Sequence, residues 1–477
     1  MPALNVTTST GATGQLAEGA VNEFRQAMRG QVLLPADIAY DDVRQVWNGL
    51  IDRRPALIAR CTGAADVIAT VNFARTHSLL VSVRGGGHNV AGAAVCDGGL
   101  MIDLSLMKGV HVDAQQRTAR AQPGVTWGDL DRETQAFGLA TPGGVVSTTG
   151  IAGLTLGGGL GWLRSKYGLA CDNLLSVDVV TASGELVRAS TDENTELFWG
   201  IRGGGGNFGV VTSFEYRVYP VGPQVMMCVV MYAAEDAPTI MRAWRDFMEQ
   251  APDEVSSQAY FWGIPAVEGF PTEIWNKPIV VITAMYAGAA DAGERILEPL
   301  RRLAAPVVDL SGQMSYAVAQ TLFDPFLPKG KRLYYFKSTD LVRLDDEVID
   351  ALIACAKTRP VPSILLAIWH YGGAMRKVAP TQSAFGSRRT PYLFSVDAIW
   401  DDPVQTKQII AWSREQISAM KPHSSGGLYV NFSGFGEEGE QLIRAIYGEN
   451  YERLSRLKRQ YDPTNLFQLN QNIRPSM

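Results

Sequence analysis

Between Arg84 and Gly161, 18 of 78 residues are glycine, and they fall in ordered clusters beside apolar, β-branched runs. A chain concentrates glycine in this way where backbone turns at positive φ or approaches a ligand closely. Three loops stand out: Arg84-Gly85-Gly86-Gly87-His88-Asn89, Gly150 to Gly161 (GIAGLTLGGGLG) and Arg202 to Gly209 (RGGGGNFG). Each offers a row of backbone N–H groups, the donor set a pyrophosphate needs. A plain turn-rich loop region is the alternative.

The flanking pattern predicts α/β alternation. ALIAR (56–60) reads as a buried strand, and 64–77 has helical spacing through Val67 and Val71. LLVSVRGGGHN is a strand running into a glycine loop, and LLSVDVVTASGELVRAS is a hairpin turning at Ala182-Ser183-Gly184. Residues 1–20 read as a mobile tail or a first capping helix. After Pro220 the strands become longer and aromatic: VMMCVVMYA, IVVITAMYA, KRLYYFKSTDLV, SILLAIWHYGG, PYLFSVDAIW and GGLYVNFSG. With helices between some of them, this predicts an antiparallel sheet backed by helices on one face. The expected class is α+β, with a boundary near Val221. The tail predicts a helix with Tyr451, Leu454, Leu457 and Tyr461 on one face, stopped at Asp462-Pro463.

Composition excludes several functions. With 43 Lys and Arg against 48 Asp and Glu, the net charge is −5, so a nucleic-acid partner is not expected. No run of 18 apolar residues predicts a membrane helix. Cys61, Cys96, Cys171, Cys228 and Cys355 are scattered, which argues against a disulfide framework or zinc site and fits a reducing cytoplasm. The N-terminus has neither a basic nor an apolar signal region. Heptads are absent, leaving monomer or homodimer open.

Gly204-x-Gly206-x-x-Gly209 formally matches the dinucleotide fingerprint, but the following VVTSFEYRVYP reads as strand where that fingerprint requires a helix. His88 ends a strand after three glycines; it could bind a metal, act as a base or cap the turn. Only five histidines exist, without metal-ligand spacing, so no metal is expected.

Taken together, RGGGHN, the Pro123-Gly124 strand end, GIAGLTLGGGLGW with KYGLACDNL, FWGIRGGGGNFGVVT and the tail YGENYERLSRLKRQYDPTNLFQLNQNIRP resemble the vanillyl-alcohol-oxidase-type flavoproteins. The resemblance is strongest to the berberine-bridge-enzyme-like and 6-hydroxynicotine-oxidase-like oxidases, and runs from about Pro55 to Pro475. It implies a PCMH-type FAD-binding domain of two α/β subdomains over 1–220 (core about 50–220), a substrate domain over 221–428, and a C-terminal segment, 429–477, returning to the flavin.

The resemblance also implies site residues. FAD would be held by Arg84, Gly85, Gly86, Gly87 and Asn89 of the first loop, with His88 bonded covalently to the flavin. Gly143, Gly144, Thr148, Thr149, Gly150, Gly153, Gly157, Gly158 and Gly161 would follow from the second region, then Asn173, Gly206, Gly209 and Val211, and Asn470 and Asn472 from the tail. Many relatives carry a second, cysteinyl link in a G-x-C-P-T-x-G segment. Here Val146 stands at that position and Cys171 lies too far along the chain, which implies a single link. Tyr429 of the Y-x-N segment matches the family's base, although an unperturbed phenol at pKa ≈ 10 is a poor base at neutral pH; cross-strand packing is its alternative. Tyr371 or His370 would line the pocket, though alternation puts them on opposite strand faces. Thr149 stands where the family gates oxygen, which favours an oxidase.

The expected function is oxidation of an alcohol or amine C–H in a small aromatic, apolar or sugar-bearing molecule, with hydride passing to FAD and O₂ yielding H₂O₂. A dehydrogenase using another acceptor, and a flavin-binding protein without turnover, are the alternatives.

Overall fold

The computed structural model describes residues 3–476, apart from 265, 267–269, 271, 437 and 438. Three sheets organise the chain. The first has four strands in the order Gln31–Leu33, Leu57–Arg60, Leu100–Asp103 and Val81–Arg84. The last three run parallel, with the Ala64–Thr76 helix burying Val67, Val71 and Ala74 against them. Asp66, in the first turn of that helix, accepts from the backbone N–H of Arg29, Gly30 and Thr62, which ties the helix start to the preceding turns.

The second sheet is antiparallel, in the order Leu186–Ser190, Leu174–Val180, Val210–Arg217, Thr118–Ala121 and Val110–Asp113. Its helix Trp127–Gln135 starts at a capping box: Thr126 Oγ1 accepts from the Asp129 N–H at 3.3 Å, and the Asp129 carboxylate accepts from the Thr126 N–H at 3.1 Å.

The third sheet is antiparallel, with eight strands. Its main path is Pro306–Asp309, Gln224–Ala233, Pro278–Tyr286, Val255–Gly263, Leu365–His370, Tyr392–Trp400 and Leu333–Leu341; Gly312–Ser315 also pairs with Gln224–Ala233. The helices Ala237–Gln250, Asp346–Lys357 and Thr406–Ala419 bury Trp244, Leu352 and Ile409 against one face. The opposite face, with Tyr260, Trp369 and Leu393, carries a separate aromatic cluster.

Two expectations fail. The described part of 1–20, residues 3–20, is neither tail nor simple capping helix: Leu4–Thr7 and Thr13–Leu16 pair as a hairpin before the helix Glu18–Ala27. GGLYVNFSG is not a strand: Ser424 makes one bridge to Leu341, the chain then turns away, and Val430–Phe432 is a 3₁₀ turn. The Tyr429 N–H bonds the Ser338 hydroxyl at 3.2 Å instead of a ladder carbonyl.

Lys458 fixes the return of the C-terminus. Its buried ammonium bonds the carbonyls of Asn207 and Phe467 at 2.8 and 3.0 Å and the Asp462 carboxylate at 2.7 Å. One cation thus joins the third glycine loop to the tail. No helix among the described residues is long and apolar enough to cross a membrane.

Candidate active site

A cleft with about 340 Å³ of space open to water lies between the three glycine loops and the inner face of the eight-stranded sheet. The first two loops touch backbone to backbone: a Cβ on Gly86 would stand 2.5 Å from the Gly150 Cα. Gly153 and Gly206 also line the cleft, yet a Cβ on either would meet nothing within 4 Å, so the space before them is open. Bare backbone of this kind makes a cradle for a flat ring system and its phosphates.

His88 sits at one end of the cleft. Its ring stacks on Trp47 with centroids 5.0 Å apart, and the Trp47 indole N–H bonds the Leu327 carbonyl at 3.0 Å. The two imidazole nitrogens lie 3.1 Å from Thr148 Oγ1 and 3.3 Å from Thr149 Oγ1. Burial, then the Lys329 charge, push the His88 pKa down to about 3. The ring is therefore neutral at physiological pH, the form with a lone pair free to bond carbon. Val146 lines the same cleft, and none of the five cysteines does.

Tyr429 faces the cleft from the far side. Its hydroxyl oxygen accepts from the N–H groups of Gly159 and Leu160 at 3.2 and 3.3 Å, and from the Asn431 amide at 2.8 Å. These bonds favour the phenolate, but burial outweighs them and lifts the pKa to about 12. Tyr429 is thus a neutral phenol ringed by donors, with its own hydrogen left to donate.

The sheet supplies three groups, two of which, Asp397 and Gln258, residue patterns had not singled out. Asp397 lines the cleft with Oδ1 buried and unpartnered, and burial pushes its carboxyl pKa up to about 7. Gln258 and Trp369 are directly cross-strand partners, and Gln258 Nε2 and Trp369 Nε1 are both buried without a hydrogen bond. The available signal was a polar residue at an inward position of a largely apolar strand, Asp397 in YLFSVDAIW and Gln258 in VSSQAYFWG.

The structure divides the expected site residues. Gly85, Gly86, Gly87, His88, Asn89, Gly144, Thr149, Gly150, Gly153, Gly157, Gly206, Gly209, Val211, Tyr429 and Asn470 line the cleft. Thr148 reaches it only through His88. Arg84 is turned away into a buried ion pair with Asp103 at 2.8 Å. Gly143 packs on Trp127, Gly158 on Phe385, and Gly161 on the Gly143 backbone. Asn173 bonds the carbonyls of Tyr167 and Leu169 at 2.9 and 2.8 Å, and Asn472 does not line the cleft.

The substrate-side pair is corrected as well. His370 turns to the other sheet face, with its ring 5.6 Å from that of Tyr392, and burial lowers its pKa to about 3. Tyr371 lies past the strand end, fully buried behind the cleft wall. Strand alternation brings Trp369 inward in their place.

A cradle of bare glycine backbone facing an antiparallel sheet, with a neutral histidine and a carboxyl of raised pKa in the same cleft, defines a flavin-binding oxidoreductase. Known proteins agree. The FAD binding domain family matches residues 55–190, and the berberine and berberine-like family matches 428–474. The chain is 32% identical to (R)-6-hydroxynicotine oxidase of Paenarthrobacter nicotinovorans, across 94% of this chain and 97% of that protein. It is likewise 32% identical to an FAD-linked oxidoreductase of Dictyostelium discoideum, across 95% and 97%. Its fold superposes on the crystal structure of 6-hydroxy-D-nicotine oxidase from Arthrobacter nicotinovorans with a TM-score of 0.84 and 30% identity, covering 94% of this chain and 98% of that one. A chitooligosaccharide oxidase superposes at 0.83 with 25% identity, covering 96% and 100%. The chain belongs to the berberine-bridge-enzyme-like branch of the FAD-linked oxidoreductases.

Proposed function

We propose that the protein is an oxidase that removes a hydride from an alcohol or amine carbon of a small molecule and uses dioxygen as its final acceptor, releasing hydrogen peroxide. The observation that carries this reading is Asp397: a carboxyl whose Oδ1 is buried and unpartnered and whose pKa burial raises to about 7, in the cleft that also holds Tyr429, His88 and the open glycine backbone. FAD, when bound, supplies the two-electron acceptor.

The protein's residues do the rest. His88 holds the cofactor by one covalent bond from a ring nitrogen, with Val146 offering no second attachment. The glycine loops carry its phosphates. Asn470 presents an unpartnered Oδ1 to the cleft, while its Nδ2 is spent on the carbonyls of Gly206 and Phe467. Asp397 takes the O–H or N–H proton as the carbon loses hydride. This revises the expectation for Tyr429, whose raised pKa makes it a poor proton acceptor; it holds the substrate oxygen or nitrogen with its hydrogen. Thr149 keeps that wall small enough for oxygen to approach.

The test is purification, acid precipitation with absorbance of pellet and supernatant near 450 nm, and oxygen uptake with a panel of alcohols and amines. A yellow pellet with peroxide release supports the reading. Flavin reduction without oxygen uptake replaces the oxidase by a dehydrogenase, and a colourless protein overturns it.

A further inference from the structure

The proposed chemistry uses Asp397 and Tyr429 but leaves two buried polar groups of the cleft unexplained. Gln258 is 3% exposed and Trp369 4% exposed, and neither Gln258 Nε2 nor Trp369 Nε1 has a hydrogen-bond partner. The Trp369 indole is a donor only, so a protein atom or a ligand must supply an acceptor. A buried donor left without an acceptor loses its hydration with nothing in return, so two beside each other on paired strands are costly unless a ligand satisfies them.

The groups around the pair point to the ligand's chemistry. The Arg164 guanidinium lies 5.5 Å from the Trp369 ring centroid. It is fully buried and makes no ion pair among the described residues; its donors go to the carbonyls of Gly161, Ser257 and His370. Burial lowers its pKa only to about 10, so it stays charged. Arg164 does not itself line the cleft, and in the same cross-strand row, through Leu393, Asp340 holds a carboxyl with a buried, unpartnered Oδ1, so what this end of the cleft offers a ligand is the N–H donors of Gln258 and Trp369. The far end holds Asp397, which pairs in register with Leu365, four residues along the strand from Trp369. That offset is roughly 13 Å of strand. Between them Ala367, in register with Tyr260 and Ser395, leaves the sheet surface low, and Phe336 and Phe432 close the cleft around it.

We propose that Gln258 and Trp369 form a substrate-anchoring subsite that binds a carbonyl or carboxylate oxygen carried on a flat ring, at the end of the cleft remote from Asp397. This rests on the flavin oxidoreductase reading, because it takes the sheet half of the cleft as the substrate's half. The anchored oxygen selects the substrate and sets which carbon faces the cofactor; it takes no part in the chemistry.

Calorimetric titration of the purified protein tests this with three one-ring probes: benzoate, acetophenone and ethylbenzene. Either oxygen-bearing probe binds at least tenfold more tightly than ethylbenzene; a preference for benzoate identifies the oxygen as a carboxylate, and one for acetophenone as a carbonyl. Trp369→Phe keeps the ring and removes the donor, and Gln258→Leu keeps the volume and removes the amide. Each weakens the oxygen-bearing probe about fivefold to tenfold, the size of one hydrogen bond, and leaves ethylbenzene unchanged. Equal affinity of all three probes for the wild type overturns the proposal, as does unchanged binding of the better probe in both variants. Calorimetry reports this selectivity whether or not the protein is yellow, so failure here and failure of the flavin reading are separate results.

Discussion

The Asn431 side-chain amide donates to the Tyr429 hydroxyl at 2.8 Å, while the Gly159 and Leu160 N–H groups reach the same oxygen from the glycine loop. Three donors on one phenol oxygen fix where its hydrogen goes. Tyr429→Phe removes that hydrogen and leaves three donors facing a ring edge. The expected outcome is a fall in kcat/KM of about 10²-fold with flavin content unchanged, at the low end of what one positioned proton-bearing group contributes. Steady-state kinetics on protein normalised by absorbance near 450 nm measures it. A variant as fast as wild type would remove Tyr429 from the chemistry.

Asp397 governs the pH profile. Its pKa is raised to about 7, so the carboxylate that accepts a proton is the minor form at pH 6 and the major form at pH 8. The rate therefore rises with pH through about 7 and levels above it. Asp397→Asn should lose that rise together with about 10²–10⁴-fold in kcat. A profile in the variant that keeps the wild-type inflection would assign the titration to another group.

His88 is poised as a neutral nucleophile, with a pKa near 3 and hydroxyls of Thr148 and Thr149 beside its two nitrogens. In His88→Ala, flavin is expected to move from the acid-precipitated pellet to the supernatant. Native variant protein should stay partly yellow, because the glycine cradle and the tail remain. Yellow retained in the variant's acid pellet would sink the covalent link at this residue.

The glycine loops, most strands and the cleft histidine His88 were legible because their signals are local: a loop's glycines and the strand running into it sit side by side in the chain. Asp397 and Gln258 were not. Each is a polar residue in a largely apolar strand, and its meaning depends on which strands pair and which face turns inward. Asp397 matters because Leu365–His370 lies beside it, and Gln258 because it faces Trp369 across the ladder. Tyr429 was legible as a residue and misread as an element, since β-branched and aromatic spacing does not distinguish a strand from an extended loop ending in a 3₁₀ turn. Arg84 and Asn173 sit inside the glycine-rich motifs and yet hold the backbone rather than the cleft.

Asp131 offers a test of the packing between two elements far apart in sequence. It lies on the helix Trp127–Gln135, 1% exposed, with Oδ2 accepting from Gln320 Nε2 at 2.8 Å; Asp131 Oδ1 and Gln320 Oε1 have no partner. Burial raises its pKa from 3.8 to about 7. The folded protein thus holds a proton that the unfolded chain releases between those values, so this residue's contribution to stability falls as pH rises from about 4 to 7 and stays low above that. Asp131→Asn removes the charge, and its amide can donate to the free Gln320 oxygen. The variant should match wild type near pH 4 and exceed it at pH 8 by roughly 2–4 kcal/mol, read as a gap in Tm that opens with pH. Parallel Tm curves for the two proteins across that range would mean that Asp131 carries no raised pKa in the folded state.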